Sequence, residues 1–495
     1  MSKKFRSNRN TLSALLAVTV ITVSAAFCGV GAQTQGTMRN MTTQQIVRDM
    51  GLGINLGNTF EAQNTWTSNP VVWDFETAWG SPEITRAMID GYAREGFKTL
   101  RIPVAWSNLM TGNSRGGTYT ISTALMNRVQ QIVDWTLANN MYAVVNVHWD
   151  GGWFERFPTD SAESMRKYSR IWEQVGHHFR NYSDYLIFES QNEELGWNSV
   201  WNPWGGNDNG KQRSYGLVNA INQRFVTIIR GQGGNNPNRH LLIAGYQTDV
   251  DRTVDPLFRM PNDTRSPARL AAKVHYYDPF GFTHLTRDED WARATWTWGT
   301  QAERNSLNTQ MDKLVTRFIN NGVPVAIGEY GMAKQGVTQA EVRNYTVAVT
   351  RAMIDRGIAP ILWCVQLNKN ANPPEVITYF DRTSNPPAMA DPQLMTELRA
   401  LLPTTSINTT SSKPAVTNIF PAVAVKGRTL NISVPASASA SDMQIRVVDV
   451  RGKVRANFRS AGSASLDLSR MPAGRYFVEV MGSGMGRNAV AIVLK

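Results

Sequence analysis

At 495 residues, with 42% hydrophobic and 18% charged residues, the chain is too long for one small domain and too apolar for a disordered one. Its net charge of +12 is confined to the ends: Lys3, Lys4, Arg6 and Arg9 open the chain, Lys413–Lys495 carries a net +8, and the stretch between is neutral. That distribution argues against a nucleic-acid-binding protein and leaves a basic tail that, on an exported chain, would meet envelope or wall polymers.

The basic start leads into an apolar run, Leu12–Phe27, and then into small residues ending at Ala32. This is the pattern of a secretory signal peptide over residues 1–32, with cleavage before Gln33. The run is short for a full membrane span. The expectation is a bacterial protein, secreted or at the cell surface. If Cys28 leaves with the signal, Cys364 stands alone, which excludes an internal disulfide and suits a buried core thiol.

From Met50 to about Pro403, strand-like and helix-like stretches alternate. The strand candidates are Gly53–Leu56, Lys98–Ile102, Tyr142–Val147, Leu186–Ser190, Leu241–Gly245, Lys273–Tyr277, Pro324–Gly328 and Ala359–Trp363. Their middles are apolar, as strands buried on both faces require. Helical patterns lie between them, such as Met126–Asn140 and Gln310–Gly322. Eight such units predict an α/β fold of the (β/α)8 TIM-barrel type over residues 33–403. No glycine-rich phosphate loop follows the first strand to favour an open doubly wound sheet.

Residues 404–416 are rich in Ser, Thr and Pro and read as a linker. Beyond them, residues 417–495 show short alternating runs separated by turn signals, which predicts a small basic all-β sandwich. It contains no Trp and no His, and all 15 Trp of the chain fall between Trp66 and Trp363. Catalysis and aromatic stacking therefore belong to the first domain.

Polar residues gather where the predicted strands end: Asn55 and Asn58, Arg101, His148 and Asp150, Asn192 and Glu193, His275 and Tyr277, Glu329, and Trp363. In a barrel these ends share one rim, where barrel active sites lie. Two carboxylates on that rim, Glu193 and Glu329, suit retaining glycoside hydrolysis, in which one acid attacks the anomeric carbon and the other shuttles the proton. Glu193, beside Glu194, is the expected proton donor, and Glu329, with Arg101 near it, the expected nucleophile. Asn192 is suited to the sugar 2-hydroxyl, and Tyr277 to steering the nucleophile. His148 and His275 are suited to hydroxyls or to holding the carboxylates, and Trp363 to stacking on a ring. Glu189 reads as a structural acid. His148, His275 and Asp150 lack the tight spacing of a metal set, so neither metal nor cofactor is expected. The groups Trp197, Trp201, Trp204 and Trp291, Trp296, Trp298 are each either sugar platforms or packing.

These motifs resemble glycoside hydrolase family 5, the cellulase-type (β/α)8 hydrolases. LIFESQNEELG resembles the family's asparagine–glutamate motif, and VAIGEYG its seventh-strand nucleophile motif. TLRIPVAW, VNVHWD, VHYYDP and ILWCVQ match its arginine, third-strand histidine, His-x-Tyr pair and eighth-strand tryptophan. GINLGNTFEA looks like the opening strand of the endoglucanase branch that includes xyloglucan- and xylan-active members. The resemblance implies a retaining endo-β-1,4-glucanase acting on cellulose or related β-glucans. Alternatives are the same chemistry on xyloglucan, xylan or mannan, or a non-catalytic glycan-binding protein. One position departs from the family: Glu194 stands where proline usually follows the acid/base. The C-terminal module resembles the sorting domains of secreted bacterial enzymes, which implies outer-membrane secretion machinery or surface attachment. A plain accessory sandwich is the alternative.

Overall fold

The computed structural model describes residues 36–402 except 64, 66, 335 and 367–377, and, toward the C-terminus, 422–426, 428–433, 443–449, 454–460, 463–482 and 485–494. The expected signal peptide and linker lie outside the described residues. The chain divides into two compact units at residues 403/404.

In the first unit, eight parallel strands close into a barrel. They are β1 (Gly53–Asn55), β2 (Thr99–Ile102), β3 (Tyr142–Asn146), β4 (Leu186–Glu189), β5 (Leu241–Ala244), β6 (Leu270–Tyr276), β7 (Val325–Tyr330) and β8 (Ala359–Leu362). All eight strands expected from sequence are present, each paired with its sequence neighbours, and β8 closes on β1. Register aligns Asn55 with Arg101, Arg101 with Val144, and Asn146 with Glu189.

Two layers fill the bore. The lower one is apolar: Val144, Ile187, Leu242, Ala271, Ala326 and Ile361 form a single buried cluster. Helix α1 (Thr43–Asp49) stoppers it from below with Ile46 and Val47. A capping box between Thr42 and Gln45 starts that helix, satisfying amides that the helix itself leaves open. Side chains two residues further along a strand share its face. At that higher level stand Asn55, Arg101, Asn146, Glu189 and Lys273, all fully buried.

The β6–β7 ladder carries a bulge. Val274 pairs with Ile327 and His275 with Glu329, so Gly328 has no opposite residue. An extra residue re-aims the side chains beyond it; here it presents Glu329 beside His275.

Helices surround the barrel. The expected helix Met126–Asn140 lies within Thr123–Ala138, capped by Ser122. The one expected over Gln310–Gly322 instead spans Gln301–Arg317. Thr300 and Glu303 form a capping box that starts it a full two turns earlier than the apolar period indicates. Two short hairpins, Met110–Thr111 with Thr120–Ile121 and Phe380–Asp381 with Ala388–Met389, were not anticipated. Cys364 is buried and free.

The second unit holds a three-stranded sheet of β9 (Ala422–Lys426), β10 (Thr429–Ser433) and β13 (Ala464–Asp467). Its four-stranded sheet comprises β11 (Met443–Asp449), β12 (Val454–Ser460), β14 (Gly474–Gly482) and β15 (Met485–Leu494). Leu430 and Ile432 of the first sheet and Ile445, Val447, Val478 and Val480 of the second form one apolar cluster, the core of a sandwich.

Candidate active site

The upper rim opens into a cleft of about 640 Å³, lined among others by His148, Asn192, Glu193, His275, Glu329 and Trp363. That volume suits a small-molecule or oligosaccharide segment.

Arg101, fully buried on β2, organises the site. Its Nε and Nη2 grip both oxygens of Glu189 at 2.8 Å. Its Nη1 reaches Asn55 Oδ1 at 2.8 Å and Glu329 Oε1 at 2.7 Å, and Nη2 reaches Asn192 Oδ1 at 2.9 Å. A planar guanidinium presents five donors in a fixed fork, so one residue orients four acceptor side chains.

Arginine has no acceptor, so Asn192 must turn its oxygen inward and its amide nitrogen outward. Asn146 works in the same way on β3: its Nδ2 donates to Glu189 at 3.0 Å and faces His148 Nδ1 at 3.2 Å. His148 Nδ1 is thus the acceptor, and its Nε2–H is left for the cleft. The His148 ring lies parallel to Trp363, 5.9 Å between centroids and 9° between planes. Burial, then the charges of Arg101 and Lys273, hold His148 well below its ordinary pKa, so the ring is neutral.

The two acids meet at the rim. Oxygens of Glu193 and Glu329 and a ring nitrogen of His275 all lie within 4.8 Å of one another. The second oxygen of Glu329 accepts from Tyr277 Oη at 3.0 Å. Burial pushes Glu329 up, opposed by the charges of Arg101 and Lys273 and by the hydrogen bonds from Arg101 and Tyr277. Glu193 is also raised, first by enclosure in the cleft, then by the negative charges of Glu329 and Glu194. Its side chain is 48% exposed, so water tempers that rise. The partners set the asymmetry. Glu329 contacts a guanidinium, whereas Glu193 contacts the neutral imidazole of His275. The pair titrates together, and Glu329 is the member held directly by a cation.

Glu189 is the structural acid expected from sequence. Burial pushes it up, but Arg101 and Lys273 outweigh burial and bring it to about 2. Asp150 is turned away from the histidines: Ser107 N and Oγ donate to it at 2.9 and 2.7 Å, and Trp153 Nε1 at 2.9 Å. Glu194 is partly buried and raised to about 7, chiefly by burial; its Oε2 has no hydrogen-bond partner among the described residues.

The tryptophan groups divide. Trp197, Trp201 and Trp298 are packed inside, while Trp204, Trp291 and Trp296 are exposed, and Trp204 lines the cleft. Arg252 covers the Trp204 ring at 4.3 Å.

Sequence reasoning missed three contributors. Asn146 lies inside its predicted strand and Lys273 opens its own, both away from the polar C-terminal ends, although their two-residue spacing to His148 and His275 marks the same face. The third is the segment after β5, whose strand end carries no polar residue. Gln247, Thr248, Asp249 and Arg252 line the cleft there. Gln247 and Thr248 both hold left-handed backbone, at φ 49° and 52°. Such strain in non-glycine residues concentrates at functional sites.

Comparison with known proteins gives the family. The family described as Cellulase (glycosyl hydrolase family 5) matches residues 61–369. Endoglucanase B of Clostridium cellulovorans is 33% identical over 360 residues, 72% of this chain and 76% of that protein. A xyloglucan-specific endo-beta-1,4-glucanase of Bacteroides ovatus is 32% identical over 368 residues, 71% of this chain and 68% of that protein. Among solved structures, a broad-specificity endoglucanase from Ruminococcus champanellensis with bound cellotriose superposes with a TM-score of 0.63 at 30% identity, covering 73% of this chain and 99% of that one.

Proposed function

The chain belongs to glycosyl hydrolase family 5 and is a glycoside hydrolase of the endo-β-1,4-glucanase type; we propose that it cleaves internal bonds of cellulose or related β-glucans by double displacement, with Glu329 as nucleophile and Glu193 as acid/base. One observation carries the mechanism: carboxylate oxygens of the two residues lie within 4.8 Å. Retaining enzymes need about 5–5.5 Å between the groups, whereas inverting ones need about 6.5–9.5 Å to admit water.

In the first step, Glu329 Oε2 bonds to the anomeric carbon. The glycosidic bond breaks as the Glu193 proton passes to the departing oxygen. In the second step, water attacks the same carbon, its proton goes to the Glu193 carboxylate, and Glu329 is released. Arg101 holds Glu329 Oε1, so Oε2, which accepts from Tyr277 and lies 3.6 Å from His275 Nδ1, does the attacking. Asn192 Nδ2 faces the 2-hydroxyl, a contact that strengthens toward the transition state. His148 Nε2 donates to a ring hydroxyl, and Trp363 stacks against a sugar.

Early products followed by NMR should keep the β configuration; an initial α product would sink the double displacement. The exposed Trp204 and the xyloglucan-specific relative make branched β-glucan a second substrate to weigh. Initial rates on carboxymethylcellulose, xyloglucan, xylan and mannan separate these.

Residues 1–32 are proposed to direct export, and the basic C-terminal sandwich to serve sorting or surface attachment. Deleting residues 417–495 should then leave hydrolysis intact and change where the enzyme accumulates. Unchanged localisation would make the sandwich a plain accessory domain.

A further inference from the structure

Lys273 sits within the site yet has no part in the double displacement itself. It enters on β6, two residues before His275, with its side chain fully buried. Its Nζ lies 3.0 Å from Glu189 Oε1 and 3.0 Å from His275 Nε2. Nδ1 of the same imidazole faces Glu193 Oε1 within hydrogen-bonding distance. Four side chains thus form a chain, Glu189–Lys273–His275–Glu193, running from the buried layer of the barrel to the proton donor.

Taking Glu193 as the acid/base, we infer that Lys273 is a positioning residue for it: the ammonium fixes His275 in its Nδ1–H tautomer, and that N–H holds the Glu193 carboxyl in place. An ammonium can only donate, so His275 Nε2 must accept. A neutral imidazole carries a single proton, which then sits on Nδ1. His275 is neutral, because burial comes first and the charges of Lys273, Arg101 and His148 add to it, holding the ring well below its ordinary pKa. Burial lowers Lys273, and Glu189 at 3.0 Å opposes it as the counter-ion that favours the ammonium.

The bond from His275 serves both halves of the reaction. While Glu193 is protonated, Nδ1–H donates to Oε1 and leaves the acidic proton on Oε2, toward the glycosidic oxygen. Once Glu193 is a carboxylate, the same bond becomes charge-assisted and holds the base where water arrives. Among the described residues, His275 is the side chain hydrogen-bonded to Glu193 in this way.

The charged groups around this chain come from several strands. Lys273 faces Glu189 on β4, Arg101 on β2 and Glu329 on β7. Glu193 faces Glu329, Glu194, Lys273 and Arg101. Both Glu193 and Glu329 are lowered by the Lys273 charge. Removing that charge raises both carboxyls, so both limbs of the activity profile move to higher pH.

The test uses the full chain. In the wild type, nitrogen-15 NMR of the His275 ring, assigned by its loss in His275→Asn, should show Nδ1 protonated and Nε2 bare. A protonated Nε2 would overturn the inference without any variant. Lys273→Met should lower kcat by about 10²-fold, the scale of a misplaced catalytic group, and move both pH limbs up. Lys273→Gln offers Nε2 a neutral donor; it should recover rate relative to Lys273→Met while keeping the displaced profile. A folded Lys273→Met with an unmoved profile, or a Lys273→Gln no better than it, would count against the role. Glu193→Gln keeps the two readings apart. Its loss in kcat/KM, which reports the first step, should be large on β-glucan and small on an aryl cellobioside with a good leaving group. If that contrast is absent, the acid assignment falls; if it is present and the Lys273 results fail, only the role of Lys273 falls.

Discussion

Two levels of one barrel differ by a step of two residues. Val144 gives way to Asn146, Ile187 to Glu189, Ala271 to Lys273, Thr99 to Arg101 and Gly53 to Asn55. Alternate residues share a face, so each polar side chain sits directly above a smaller or apolar one. The lower level is held by burial of hydrocarbon, which is non-directional and tolerates repacking. The upper level is held by a network in which Arg101 alone meets four acceptors, and such a network fails when one member is removed. Stability and chemistry are thus stacked along the same strands.

The contrast can be broken at several points. The largest effect is expected at Glu329: Glu329→Ala should lower kcat/KM by at least about 10⁴-fold on soluble β-glucan with little change in thermal unfolding. Retained hydrolysis would remove the nucleophile assignment. Arg101→Met should cost activity and stability together. It leaves Glu189 with Lys273 as its remaining cation and Glu329 without its guanidinium, and breaking a buried pair costs about 3–5 kcal/mol, measurable by urea unfolding. Ile187→Ala, one level down, should cost about 2–5 kcal/mol while kcat at low temperature stays near wild type. If Ile187→Ala damages kcat as much as stability, the two levels are not separable.

The pH profile sharpens the upper level. Glu193 must carry a proton to act as acid, and its pKa is raised in the fold. Activity is therefore lost as pH rises through that raised value, above the usual carboxylate range. Glu194 contributes to the rise through its charge, so Glu194→Gln should move the alkaline limb to lower pH; a limb that stays put or moves up contradicts this. The smallest effect belongs to the cleft wall: Trp204→Ala should raise KM about ten-fold on long β-glucan chains, the scale of one lost aromatic stacking contact, with kcat nearly unchanged.

The barrel was legible because parallel strands buried on both faces leave short apolar runs at regular intervals. Its rim was legible because function-bearing side chains close most of those runs, and the structure gathers Arg101, His148, Asn192, Glu193, His275, Tyr277, Glu329 and Trp363 around one cleft and its floor. The pairing beneath the rim was not legible. Lys273 and Glu189 meet at 3.0 Å although 84 positions separate them, and nothing local to KVHYY or LIFES says which charge answers which. The segment after β5 was missed for a different reason: its contribution comes from backbone in the left-handed region at Gln247 and Thr248, a conformation those residue types rarely adopt. Glu194 was visible as a departure from the family pattern, and only its surroundings give the direction of its effect.

The bulge at Gly328 links two positions sterically. A Cβ there would lie 3.1 Å from Lys273 Cδ and 3.2 Å from His275 Nε2, closer than such contacts normally fall. Lysine at position 273 is therefore compatible with glycine at 328 and crowded by anything larger. Shortening the lysine would relieve only part of the crowding at 328, because His275 Nε2 stays 3.2 Å away. A combinatorial library varying both positions should recover lysine at 273 almost only beside glycine at 328, an epistasis that one-site scanning would record as two unrelated intolerances.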